Sequence, residues 1–186
     1  CVPLPIYVIA DQLGVPRTEL ALLKKWSDAS VSRLGRLADE EQQIQNAKDI
    51  VEFQHYFADL IDRLRHKPED NIISDLANNT IDEGRLLTKP EALGMIQQIL
   101  VAGNETSTNA IAGGVVLLIQ NPEEQAKLRA SADLIPSAVE EILRLETPTS
   151  GMWRRATEDT EVGGVAIPEG SFLMVRFAAG NRDESI

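Results

Sequence analysis

Cysteine occurs once in the 186 residues, at Cys1, so no disulfide can form within the chain. Histidine occurs twice, and no cysteine or carboxylate set around His55 and His66 has zinc-site spacing, so both read as solvent-facing side chains of one helix. Positive charge is in deficit. With 18 Lys and Arg against 29 Asp and Glu, the net charge of -11 argues against nucleic acid or an anionic membrane as partner. The apolar run Ile111 to Ile119 is far too short to span a bilayer, and no charged-then-apolar leader opens the chain. Internal repeats, low-complexity tracts and interdomain linkers are missing too. What remains, 43% apolar residues in a chain of this length, is enough for one core, and residues 1-186 read as a single partial domain.

The strongest helical signal starts at Thr88-Lys89-Pro90-Glu91, where a threonine cap is followed three residues later by glutamate and proline falls in the first turn. Asn121-Pro122 reads as its stop. The helix between them is roughly 45 Å long at 1.5 Å per residue. Leu93, Ile96, Leu100, Ile111, Val115, Leu118 and Ile119 are among its apolar members.

In the middle of this apolar helix, residues 104 to 109 are all polar, preceded by Ala102 and Gly103. Burying an unpaired carboxylate or hydroxyl costs several kcal/mol, so partners or an open space are expected beside Glu105 and Thr106. Glycine costs about 1 kcal/mol relative to alanine inside a helix, yet it lets a flat ligand approach the backbone. Glu105 in such a place suits a proton donor. The competing reading breaks the helix near Gly103, with Asn104 or Thr106 capping a second helix.

Pro136 to Glu146 reads as another helix, in which Glu141 and Arg144 stand one turn apart and Glu141 shares a side with Ala138 and Leu145, which predicts a partly buried pair. Taken alone, Glu-x-x-Arg is a common accident.

The ordered set is not: Ala-Gly-x-Glu-Thr-Ser at 102-107, Asn121-Pro122-Glu123, Glu141-x-x-Arg144, Arg154, then Asn181-Arg182-Asp183. Over essentially the whole chain, this order and spacing resemble the cytochrome P450 family of haem-thiolate monooxygenases, in particular its soluble bacterial members. The resemblance implies a mainly α fold with a small β-meander near the C-terminus, and a haem b cofactor. It makes residues 89 to 120 the long helix on the oxygen-binding side of the haem, with Ala102 and Gly103 against the macrocycle and Glu105 and Thr106 as the acid-alcohol pair near oxygen. Glu141 and Arg144 match the family's structural ion pair. Arg154 matches the arginine that contacts a haem propionate, with Arg155 on the other strand face. Thr149, Ser150, Gly151 and Met152 become candidates for a pocket wall. The implied partners are a small organic substrate, O2 and an electron donor such as a ferredoxin; the implied location is cytoplasmic.

One departure matters. The family's axial thiolate comes from a glycine-rich cysteine loop, whereas Cys1 lies in Cys1-Val2-Pro3-Leu4-Pro5, an unrelated context. The chain is therefore expected to be an inner piece of such an enzyme, without a metal ligand of its own and inactive in isolation. The alternative from another class is a non-catalytic helical interaction module, in which Glu105 and Thr106 meet polar side chains of neighbouring helices. A hydrolase using Thr106 as nucleophile is weaker, because no histidine or lysine is evidently placed as its base.

Elsewhere the patterns predict helices at Ile6 to Leu13, ended by Gly14, at Thr18 to Leu34, and at Asp39 to His66, where Asp39-Glu40-Glu41 favours the start. A short helix is expected over Ile72 to Ala77, then a polar loop at Asp82-Glu83-Gly84-Arg85. Short strands are expected at Met152 to Thr157, Val162 to Ile167 and Ser171 to Phe177. Packing is the expected role of both Trp26 and Trp153.

Overall fold

The computed structural model describes residues 1–35, 39–81 and 84–185, the side chains of 33–35 excepted. Asp82 and Glu83 of the expected polar loop lie outside the described residues. Helices are α1 (Pro3–Leu13), α2 (Leu20–Gly35), α3 (Glu40–His66), α4 (Ile72–Asn78), α5 (Lys89–Gln120), α6 (Pro122–Ala130), α7 (Ile135–Glu146) and α8 (Phe177–Gly180). Strands are β1 (Met152–Arg155), β2 (Thr160–Val162), β3 (Val165–Ile167) and β4 (Phe172–Val175). The protein is mainly helical with short antiparallel strands near its C-terminus. Contacts between Cα atoms divide it into two compact units, Cys1–Thr108 and Asn109–Ile186.

The first unit holds the apolar core. Trp26 of α2 meets Phe53, Tyr56 and Phe57 of α3 with ring centroids 5.9, 5.2 and 5.8 Å away, and Phe53 lies 4.8 Å from Phe57. Full burial of each such ring contributes about 1.5–3 kcal/mol, more than any exposed polar contact nearby. Helix α1 adds Ile6, Ile9, Ala10 and Leu13, and α5 adds Ala92, Ile96 and Leu100. These α5 positions recur every fourth residue, so one narrow stripe faces the core. His55 and His66 lie on the exposed side of α3.

Local chemistry sets the helix ends. Gly14 closes α1 at φ 67°, and a Cβ there would come within 2.5 Å of the Asn71 amide nitrogen, so the turn needs glycine twice over. Asp39 accepts a 2.9 Å hydrogen bond from the Gln42 amide, as expected of an acidic start to α3. At α5, the Thr88 amide and hydroxyl each donate to Glu91 Oε2 at 2.8 Å, and Arg85 grips the same carboxylate with two 2.8 Å bonds. Held first by Arg85 and then by Thr88, the Glu91 carboxyl titrates at about 2.

Helix α5 runs unbroken from Lys89 to Gln120, which overturns the competing reading of a break at Gly103. The stop at Asn121-Pro122 is followed at once by α6, a helix that the sequence reading lacks: Pro122 ends one helix and occupies the first turn of the next.

In the second unit, α7 lies close to the C-terminal part of α5 because Gly113 and Gly114 present no side chains there. A Cβ on Gly114 would meet Ile142 at 3.0 Å, and one on Gly113 would run into the Glu146 side chain. Strand β1 pairs with β4 in the register Met152 with Val175 and Arg155 with Phe172, while β2 and β3 pair with each other. The expected single strand Val162 to Ile167 is instead divided. Gly163 and Gly164, at φ 59° and 81°, fold it into a tight hairpin of the kind that needs two positive-φ residues.

Candidate functional site

Within the first unit, the polar run on α5 distributes its side chains over different surroundings. Asn104 continues the stripe Ala92-Ile96-Leu100 and is 1% exposed. Its Nδ2 donates to Ser27 Oγ on α2 at 3.0 Å, whereas its Oδ1 has no partner. Thr108, one turn on, likewise has a buried hydroxyl without a partner. The sequence reading placed the burden on Glu105, but the buried polar residue is Asn104; the four-residue spacing from Leu100 was the available signal.

Glu105 turns to α2, where its Oε1 lies 3.7 Å from Lys24 Nζ and 3.5 Å from Asn104 Nδ2. Its side chain stays 35% exposed, and Lys24 also pairs with Asp28. The Thr106 hydroxyl bonds within its own helix, donating to the Ala102 carbonyl at 2.7 Å. Ala102 and Thr106, four residues apart, share one side of α5, and Ala102 is exposed. The expected contacts therefore divide, with Glu105 engaged by a neighbouring helix and Thr106 by its own backbone.

Gly103 faces the other way. A Cβ at this position would stand 3.1 Å from Ile9 Cδ1, so its open side is filled by α1. The missing side chain of Gly103 thus admits Ile9 of α1, and Ala102 is the small residue of the run left exposed.

Within the second unit, Glu141 and Arg144 form a two-pronged pair, Nε to Oε2 at 2.7 Å and Nη2 to Oε1 at 2.6 Å. The Arg144 side chain holds the Glu141 carboxyl below its usual range, and its own acidity is weakened in return. The Glu141 and Arg144 side chains are 54% and 46% exposed, about half covered. The third contact of Arg144 is structural: Nη1 donates to the Asn181 carbonyl at 2.7 Å.

Arg154 and Arg155 occupy successive positions of β1 and differ in engagement. Arg155 lies over the Phe172 ring at 6.0 Å, while Arg154 donates only to the neighbouring Trp153 carbonyl at 3.0 Å. Among the described residues no carboxylate pairs with Arg154, which leaves a guanidinium open to an outside anion. Trp153, expected to pack, is 58% exposed, and the other three residues of β1 are exposed too among those described. The segment Thr149-Ser150-Gly151-Met152 is largely exposed and leads from α7 into β1. A cavity of about 440 Å³ does exist in this unit, between the end of α5, α6 and α7, but Glu141 is the only candidate site residue that lines it.

A sequence model of the cytochrome P450 family matches residues 7–186, the span that carries the whole ordered set. The chain belongs to the cytochrome P450 family. Cytochrome P450 109 of Bacillus spizizenii strain W23 is 37% identical over 98% of this chain and 45% of its own length. The cytochrome P450 monooxygenase PikC of Streptomyces venezuelae is 38% identical over 97% and 42%. Two solved P450 structures superpose along 99% of the chain: P450BioI in complex with an acyl carrier protein ligated to hexadec-9Z-enoic acid, at TM-score 0.88 and 35% identity, and ligand-free TbtJ1, at 0.90 and 33%. The chain spans less than half the length of these P450 relatives, 47% and 48% for the two structures. Haem is the cofactor of the family to which it belongs.

Proposed function

We propose that this chain is the central part of a haem-thiolate monooxygenase that inserts one oxygen atom of O2 into a small organic substrate, using two electrons from a redox partner such as a ferredoxin. The observation that carries the reading is the unbroken α5 with Ala102 exposed, Thr106 one turn on, and Glu105 in reach of a solvent-facing lysine. The residues fit the cofactor in chemical kind: Ala102 offers a small apolar surface to a macrocycle, and Arg154 offers an uncommitted cation to a propionate. Haem with an axial thiolate supplies dioxygen activation.

The chain's own residues would orient and protonate. Thr106 gives its proton to the Ala102 carbonyl and so keeps its oxygen lone pairs available, ready to accept from an ordered water or a substrate hydroxyl. Glu105, partly exposed with its Oε1 3.7 Å from Lys24 Nζ, would relay protons between solvent and the Thr106 hydroxyl. Arg154 would orient the cofactor, and Glu141 with Arg144 would hold the end of α7 to the segment after α8. Thr149 to Met152 would form part of the substrate wall. The thiolate would come from a cysteine outside these 186 residues, since Cys1 is exposed beside Pro3 and Pro5; the 186-residue chain alone would then be inactive. The two compact units would belong to one larger catalytic domain, working in the cytoplasm.

The test is the reduced, carbon monoxide-bound spectrum of the full-length gene product. A thiolate-type Soret band supports the reading; a haem-free protein, or a band of the imidazole-ligated type, ends it. The interaction-module alternative keeps one observation in its favour, the Glu105–Lys24 contact, and would be preferred if the full-length protein bound no haem.

A further inference from the structure

The second unit contains one buried side chain among its described residues, and its backbone is strained. Thr147 is 6% exposed and sits at φ 41° and ψ 71°, the sole non-glycine residue with positive φ among those described. A β-branched residue in this region is a genuine outlier, and Pro148 narrows the allowed backbone further. Such a conformation persists only where surrounding contacts over-determine it.

Those contacts are all present. The Thr147 amide donates to the Leu143 carbonyl at 3.0 Å, and its hydroxyl donates to the Arg144 carbonyl at 2.8 Å while accepting from Asn181 Nδ2 at 3.0 Å. Arg144 Nη1 returns a 2.7 Å bond to the Asn181 carbonyl, and Arg182 Nη2 donates to the Leu145 carbonyl at 2.6 Å. Three successive carbonyls at the end of α7 are thus satisfied by Thr147 and by Arg182, next to Asn181. Two more ties lie downstream: the Ala178 amide donates to the Ser150 carbonyl at 3.2 Å, and Met152 pairs with Val175. Between them Gly151 passes so near the Val175 carbonyl that a Cβ would stand 2.5 Å from it.

The structure assigns to Thr147 and Asn181 a positioning role: the strained turn, locked by the Thr147–Asn181 hydrogen bond, fixes the path of residues 148–152 and so the shape of the substrate wall. The inference rests on the proposed reading that Thr149 to Met152 line the pocket. Thr147 and Asn181 act through that segment and touch no reacting atom themselves.

The test uses the full-length haem enzyme and two probes, imidazole and 4-phenylimidazole, each read as a Soret shift on binding. Imidazole reports an accessible haem; the phenyl ring reports the wall. A wild-type protein that binds no haem sinks the proposed function before any variant is compared. Given a haem-loaded wild type, Thr147→Val and Asn181→Ala should leave imidazole affinity unchanged and weaken 4-phenylimidazole by about five-fold or more, the scale on which a small misplacement registers. Thr147→Ser, which keeps the hydroxyl, should retain the wild-type ratio, and the double variant should be no worse than either single one. Should Thr147→Val fail to load haem, Thr147→Gly, which accepts this backbone without strain, decides in its place. An unchanged ratio in any loaded variant lacking the hydrogen bond overturns the inference. So does loss of haem in Thr147→Gly and Asn181→Ala alike, which would make the turn a folding element only.

Discussion

Thr106 spends its hydroxyl proton on Ala102, one turn earlier on the same helix, at 2.7 Å. This back-bond gives a polar side chain a partner within its own apolar helix, and it fixes the direction of the oxygen lone pairs. Thr106→Ala in the full-length enzyme should leave oxygen uptake largely intact and lower product per electron pair about tenfold, the balance leaving as peroxide. Peroxide and product measured against reductant consumed give the answer; undisturbed coupling would contradict the role of Thr106.

Gly103 should prove to be a packing glycine. Because Ile9 Cδ1 would be 3.1 Å from a new Cβ, Gly103→Val is expected to lower stability by about 1–3 kcal/mol. Gly103→Ala sets about 1 kcal/mol of helix propensity against the same tight contact and should lie near zero. Adding Ile9→Val should then release the propensity gain, visible as a higher urea midpoint than that of Gly103→Ala alone.

Asn104 and Ser27 invite replacement as a pair. The single change Asn104→Leu would extend the apolar stripe of α5 but strand the Ser27 hydroxyl, a loss of about 1–3 kcal/mol for a buried group. Ser27→Ala with Asn104→Leu removes both partners and the orphaned Asn104 Oδ1 together, so the double variant should equal or exceed wild type. A double variant less stable than Asn104→Leu would show that the polar pair stabilises the fold.

Acid should remove the start of α5 before it removes the core. Glu91 titrates at about 2 in the folded protein against an ordinary value of 4.5. A depressed folded value means that its contribution is complete above about 4.5 and is lost as pH falls through 2. Stability curves of wild type and Glu91→Gln should therefore run apart at neutral pH and converge between those limits. Parallel curves over that interval would show that the Arg85–Glu91–Thr88 cluster does not support the fold.

Elements bounded by strong local chemistry were legible in the sequence. Both ends of α5 carry their own signals, Thr88 with Glu91 and Asn121 with Pro122, and the observed helix is the expected one, residues 89 to 120. Helix α6 was missed because Pro122 has two meanings, a stop for the preceding helix and a first turn for the next one. Gly163-Gly164 was read through because Val162, Val165 and Ile167 look like one strand until the two glycines are given positive φ. At the candidate site, residue kinds were legible and orientations were not. Which of Ala102, Gly103, Asn104 and Glu105 faces the core depends on the phase of α5 against α1 and α2, a tertiary property. Partial burial of Glu141 was inferred from its helical neighbours, and its side chain is about half covered. Thr147 could not have been found at all, since its conformation opposes every local preference that sequence reasoning uses.

The hairpin of β2 and β3 has a consequence for handling the protein. Side chains added at Gly163 or Gly164 would meet nothing within 4 Å among the described residues, and the flanking Val162 and Val165 are 65% and 64% exposed. Within these 186 residues, its tip is a place where the polypeptide can be lengthened. A fluorophore or peptide tag inserted between the two glycines would label the protein far along the sequence from Thr106 and outside the β1–β4 pair that carries Arg154.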